Sequence, residues 1–67
     1  MYALAMITLT VREREALQHI GNGLTIPEIA AEMKIKPRTA KQYVQTLCRK
    51  FNVEKKRNLV PIAREYE

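Results

Sequence analysis

A second cysteine is missing from this sequence: Cys48 stands alone, so no intrachain disulfide can form, nothing points to an oxidising compartment, and a cytoplasmic protein is expected. No run approaches the roughly 18 consecutive apolar residues of a membrane span, so no membrane partner is expected either. Residues 1–8 are mildly apolar but carry neither a charged leader nor a cleavage-type end. They read as an N-terminal tail or packing arm, in which Met6 is an alternative start. Internal repeats, low-complexity tracts and interdomain linkers are absent. His19 has no second histidine and no cysteine at ligand spacing, which argues against a metal site, and Cys48 has no basic partner to activate its thiol. A chain of 67 residues has room for one domain (9–67) with one modest core, and it offers a surface more readily than a pocket walled by several elements. Binding is therefore expected before catalysis: no enzyme, no cofactor and no metal.

What the chain does have is positive charge. Lys and Arg number 12 against 7 Asp and Glu, a formal charge of +5. That balance suits a polyanion binder such as nucleic acid, although basic residues that merely solvate a surface give the same total. Positions have to decide between the two.

Thr10 and Glu13 have the spacing of a capping box, in which the hydroxyl accepts from an orphan helix N–H and the carboxylate reaches back to the cap. A first helix is expected over 11–20, with Val11, Ala16, Leu17 and Ile20 as its apolar stripe and Gly21, Asn22 and Gly23 to end it. Thr25 and Glu28 repeat the box, and Pro27 falls in the first turn, where its missing N–H costs nothing. The second helix is expected over 26–34, buried through Ile29, Ala30 and Met33. Pro37 opens a third over 37–51 with a poor cap, since Lys36 has no side-chain acceptor. A polar linker from Glu54 follows, with Asn58 as the candidate cap of a fourth helix over 59–66. Pro61 must then lie in its first turn, and the bias of a pre-proline residue on Val60 argues for a start only there. The fold class is all-α, with four helices.

The third helix is the most informative. At about 100° per residue, Ala40, Val44, Leu47 and Phe51 fall on one narrow stripe, the face to be buried. Arg38, Lys41, Gln42, Gln45 and Arg49 spread over the other side, and no acidic residue interrupts them. Solvated helix faces usually mix both signs, so an acid-free polar face points to phosphate and base contacts. A short helix, a turn and a longer amphipathic helix with a basic outer face is the helix-turn-helix arrangement, whose second helix enters the major groove.

Residue by residue, Leu9 to Leu17 (Leu, Thr, Val, Arg, Glu, Arg, Glu, Ala, Leu), then Gly23, Glu28, Ile29, Ala30, Ile35, Thr39, Ala40, Lys41, Leu47, Lys50, Phe51 and Val53 resemble the LuxR-type helix-turn-helix domain, also called GerE or NarL/FixJ C-terminal. The resemblance covers about Leu9 to Ala63, with several spaced motifs agreeing in order. It implies base contacts from Lys41, Gln42 and Gln45. The chemistry suits them, because lysine donates to guanine O6 and N7 and glutamine pairs with adenine N6 and N7. It also implies a phosphate contact from Thr39, to which Arg38 and Arg49 are added for their charge and side of the helix. Tyr43 is placed with the phosphate contacts through its hydroxyl, the alternative being packing beside Ala40 and Leu47. Lys55, Lys56 and Arg57 form either a phosphate clamp or a solvated loop.

The chain departs from the family where Tyr43 replaces a histidine, Lys36 a capping serine and Pro27 a lysine near the phosphates. An altered sequence preference is expected from these changes. The family's fourth helix forms its dimer interface, which carries a homodimer contact onto Leu59, Val60 and Ile62, with Pro61 as a further departure. Most members join this domain to a receiver or ligand-sensing domain; the present chain resembles the stand-alone GerE-like regulators, unless it is a fragment of a longer one.

The resulting expectation is a cytoplasmic, nucleoid-associated transcriptional regulator that binds double-stranded DNA in a sequence-specific way. Two alternatives use the same fold. One is a sigma-factor region-four-like module, which reads a promoter element while contacting RNA polymerase. The other is an adaptor or antagonist that binds a regulator protein.

Overall fold

A computed structural model describes residues 7–66. Four helices follow one another: α1 (Val11–Gly21), α2 (Ile26–Met33), α3 (Pro37–Phe51) and α4 (Leu59–Tyr66), with a 3-10 turn at Lys56–Asn58. No strand occurs among the described residues. Helix α1 packs chiefly on α4, and α2 on α3, with α1 also crossing α3 to close the core. Most of the expected N-terminal arm, residues 1–6, lies outside the described residues. Ile7 packs on the edge of the core, and its carbonyl accepts from the Tyr66 hydroxyl at 3.3 Å.

Both capping boxes form. Thr10 Oγ1 accepts from the Glu13 N–H at 3.1 Å, and Glu13 Oε1 accepts from the Thr10 N–H at 2.9 Å. The Thr25 and Glu28 pair repeats this at 3.3 and 2.8 Å. Each box satisfies two of the donors that a helix start leaves open. Helix α1 runs one residue further than expected, to Gly21, and α2 ends one residue earlier, at Met33.

The end of α2 shows why the next turn is tight. Lys34 adopts the left-handed conformation at φ 58°, its N–H bonds the Ala31 carbonyl at 3.3 Å, and the Ile35 N–H bonds the Ala30 carbonyl at 3.0 Å. This is a Schellman ending with lysine where glycine is the unstrained choice. Asn52 ends α3 in the same conformation, φ 58°, with the Val53 N–H on the Cys48 carbonyl at 2.9 Å.

The core holds Ala16, Leu17 and Ile20 from α1, Ile29, Ala30 and Met33 from α2, Ala40, Val44, Leu47 and Phe51 from α3, and Leu59, Ile62 and Ala63 from α4. One expected member is wrong: Val11 is 81% exposed, while Glu13 is only 8% exposed. The helical period explains the exchange. Glu13, Ala16, Leu17 and Ile20 stand at i, i+3, i+4 and i+7, whereas Val11 and Ile20 are about 180° apart.

The fourth helix starts where expected, at Leu59, but its expected cap needs a correction. Asn58 is not a flanking cap but the last residue of the 3-10 turn, which runs straight into α4. The helix begins at Leu59, ahead of the Val60–Pro61 pair, and Pro61 lies in its first turn as required. Helices α1 and α4 touch closely: a Cβ added at Gly21 would lie 2.8 Å from the Ala63 Cβ.

Candidate nucleic-acid interface

Helix α3 starts without a side-chain cap, as Lys36 implied, and with Pro37 in its first turn. Its buried stripe, Ala40, Val44, Leu47 and Phe51, anchors it against the other helices. That anchoring turns Arg38, Gln42, Gln45 and Arg49 outward, at i, i+4, i+7 and i+11, and all four are exposed. Lys41 is exposed beside this stripe; Thr39 and Tyr43 are half-buried along its other edge. Tyr43 packs against the core.

Among the described residues, none engages the stripe through an ion pair or a side-chain hydrogen bond, which leaves it open to a ligand. Among the described residues, Arg38, Lys41 and Arg49 make no ion pair, and Gln42 and Gln45 make no side-chain hydrogen bond. Between Arg38 and Arg49 the helix rises about 16 Å at 1.5 Å per residue. A helix about 10–12 Å across fits a major groove about 12 Å wide, so donors on that length can reach several successive base pairs.

Other cations are committed to the fold. The Arg12 guanidinium donates to the Met33 carbonyl at 2.7 Å and pairs with Glu15 at 2.9 Å. Lys50 Nζ donates to Glu13 Oε1 at 2.7 Å and to the Thr8 carbonyl at 3.0 Å. Neighbouring residues of α1 thus hold the end of α2 and the last turn of α3, and so help to set the direction in which α3 projects. The Lys50 hydrogen bond, then the Thr10 backbone N–H, holds the Glu13 carboxyl below its ordinary range.

Sequence reasoning missed both clamps. Their partners lie 21 and 37 residues apart. The signal that was there is Glu13 itself, a carboxylate centred on a buried stripe, which requires a partner.

The remaining expected residues fall elsewhere. Lys55 and Arg57 are exposed and Lys56 half-buried. Lys56 is near enough to Glu28 to add to the lowering of that carboxyl, which the Thr25 cap hydrogen bonds chiefly cause. Leu59 and Ile62, expected at a dimer contact, are buried in the domain's own core, so they are not surface residues of the isolated domain; Val60 is partly exposed. The reason is that Leu59, Ile62 and Ala63 form the inward side of α4 at i, i+3 and i+4. Cys48 is half-buried, and burial pushes its thiol pKa up, away from thiolate reactivity. No cluster of metal-ligating side chains occurs among the described residues, and no described helix is long and apolar enough to cross a membrane.

Comparison with known proteins agrees with this geometry. Residues 7–63 match the GerE family, described as bacterial regulatory proteins of the luxR family. Two curated relatives, each named as a probable transcriptional regulatory protein NarL and coming from two strains of Mycobacterium tuberculosis, are 49% identical over 45 residues. The aligned stretch is 67% of this chain and 21% of each relative, so the chain spans about a fifth of the proteins it matches. No solved structure matches.

Proposed function

The chain belongs to the luxR family of bacterial regulatory proteins, and from that membership we propose that it binds duplex DNA in a sequence-specific way to regulate transcription, with α3 lying in the major groove. The observation that carries this reading is the outer stripe of α3, where Arg38, Gln42, Gln45 and Arg49 stand exposed beside Lys41 with no acid among them. Arg38, Thr39, Arg49 and the Tyr43 hydroxyl serve the phosphates and fix the register of the helix. Lys41, Gln42 and Gln45 discriminate bases. With two cationic phosphate contacts, Arg38 and Arg49, the affinity of each bound domain falls with salt at a logarithmic slope of about −2.

The M. tuberculosis relatives are named as transcriptional regulators, which supports the regulatory role. A cytoplasmic, nucleoid-associated location goes with it. Dimerisation through α4 would use its outer side, around Val60, since Leu59 and Ile62 point inward.

Selection of bound duplexes from a randomised pool, at near-physiological salt, tests the reading. A single enriched half-site is expected from a monomer, and a paired inverted motif from a two-fold dimer. A pool that stays random after several rounds would overturn sequence-specific binding.

A further inference from the structure

The turn of Lys55, Lys56 and Arg57 has no part in the outer stripe of α3, yet the fold holds it firmly. Residues 52–55 link it to the end of α3, with Val53 packed against the core. The Asn58 N–H bonds the Lys55 carbonyl at 2.9 Å, and the N–H of Leu59, a fully buried residue directly after the turn, bonds back to the Lys56 carbonyl. The three side chains therefore project from a fixed 3-10 frame that packs on both α3 and α4. Lys55 and Arg57 are exposed, and no ion pair engages any of the three among the described residues.

Lys56 shows where the turn lies. It is near enough to act on Glu28, in the first turn of α2, so the turn flanks the start of that helix. In a helix-turn-helix complex the first helix of the pair crosses the DNA backbone, and helix N-termini are among the groups that face phosphates. The start of α2 is poorly charged for that position. Residues 25–28 are Thr, Ile, Pro and Glu, with no cation and with an exposed carboxylate that repels phosphates.

We propose that the 55–57 turn is a second phosphate-binding element, which grips the DNA backbone beside the start of α2, outside the groove that α3 occupies. Lys55 and Arg57 contact the phosphates, and Lys56 offsets Glu28. Glu54, exposed, precedes the turn and Glu28 flanks it, so three cations stand there against two carboxylates. Glu67, outside the described residues, follows Tyr66, past the far end of α4 in the chain. The inference rests on the reading that α3 binds duplex DNA, and it extends the contacted backbone beyond the base pairs that α3 reads. Backbone contacts carry no sequence information, so this element adds affinity and register without altering base preference.

The test measures binding of the selected duplex by wild type, Lys55→Ala and Arg57→Ala across a salt series. Arg38 and Arg49 alone give a logarithmic slope of about −2 per bound domain; Lys55 and Arg57 take it to about −4, and each alanine should bring it back by about one unit. The weakening should be equal on the selected duplex and on its single-base variants. Both side chains are exposed, and the hydrogen bonds of the turn run through backbone atoms, so both variants should keep the wild-type melting curve. Duplexes with single methylphosphonates, which remove one phosphate charge at a time along the flank of the half-site, give the second measurement. One flanking position should weaken wild type and leave Arg57→Ala unaffected. A wild-type slope of about −2 that neither alanine changes, or a flank on which no methylphosphonate weakens wild type, would overturn the inference and leave binding by α3 intact. A wild-type chain that binds no duplex would overturn the reading of α3, and this inference with it.

Discussion

Replacing Glu13 by glutamine keeps the shape of the side chain and an oxygen for the Thr10 cap, but removes the charge that meets Lys50 at 2.7 Å. A hydrogen bond between two charged groups contributes about 1.5–3 kcal/mol when sheltered and about 0–1 kcal/mol when exposed. This pair lies between those limits, with the side chain of Glu13 11% exposed and that of Lys50 33% exposed. A loss of about 1–2 kcal/mol follows, which in a domain this small lowers Tm by roughly 4–16 °C. Because folding lowers the Glu13 pKa below its ordinary 4.5, the stabilisation is fully present above that pH and is lost as pH falls through the folded-state value. The gap between wild type and Glu13→Gln should therefore be constant near neutrality and close in acid. Urea denaturation at pH 7 and pH 3 measures it, and a double-mutant cycle with Lys50→Met isolates the pair. A coupling energy indistinguishable from zero, or a gap unchanged at pH 3, would refute the argument.

Other consequences can be checked on the same footing. Lys34→Gly relieves a left-handed lysine at φ 58° and should raise stability by about 1 kcal/mol in urea melts, in contrast to the usual cost of a glycine inside a helix. Gly21→Val drives a Cβ to within 2.8 Å of Ala63 and should cost about 1–3 kcal/mol, as overpacking does; a neutral effect would mean that α4 can move away freely. Gln42→Ala should relax preference at one base position by about 1–3 kcal/mol in competition with single-base variants of the selected duplex. Equal weakening on every sequence would make Gln42 a positioning residue instead.

Where local chemistry repeats at short range, the sequence was readable. Both capping boxes, the bounds of α3 and α4, and the inward stripe Ala40, Val44, Leu47 and Phe51 required only spacing within one or two turns. Val11 was misplaced because hydrophobic character was read ahead of phase, when Glu13 shares the angular position of Ile20. Asn58 misled for a related reason: a good capping residue does not cap when a 3-10 turn already supplies the first bonds of the next helix. The outer stripe of α3 was legible as an acid-free face. The clamps that orient it, Arg12 on Met33 and Lys50 on Glu13, were not, since ion pairs between distant segments leave no periodic trace.

The central claim is that the outer face of α3 reads duplex DNA. Titrating the isotopically labelled chain with its selected duplex, and following backbone and side-chain amide resonances, tests this directly. The account predicts the largest shifts at Arg38, Lys41, Gln42, Gln45 and Arg49, including the side-chain amides of both glutamines, with little change along α1 and α4. Shifts concentrated on α1 and α4, with those glutamine amides unmoved, would contradict it.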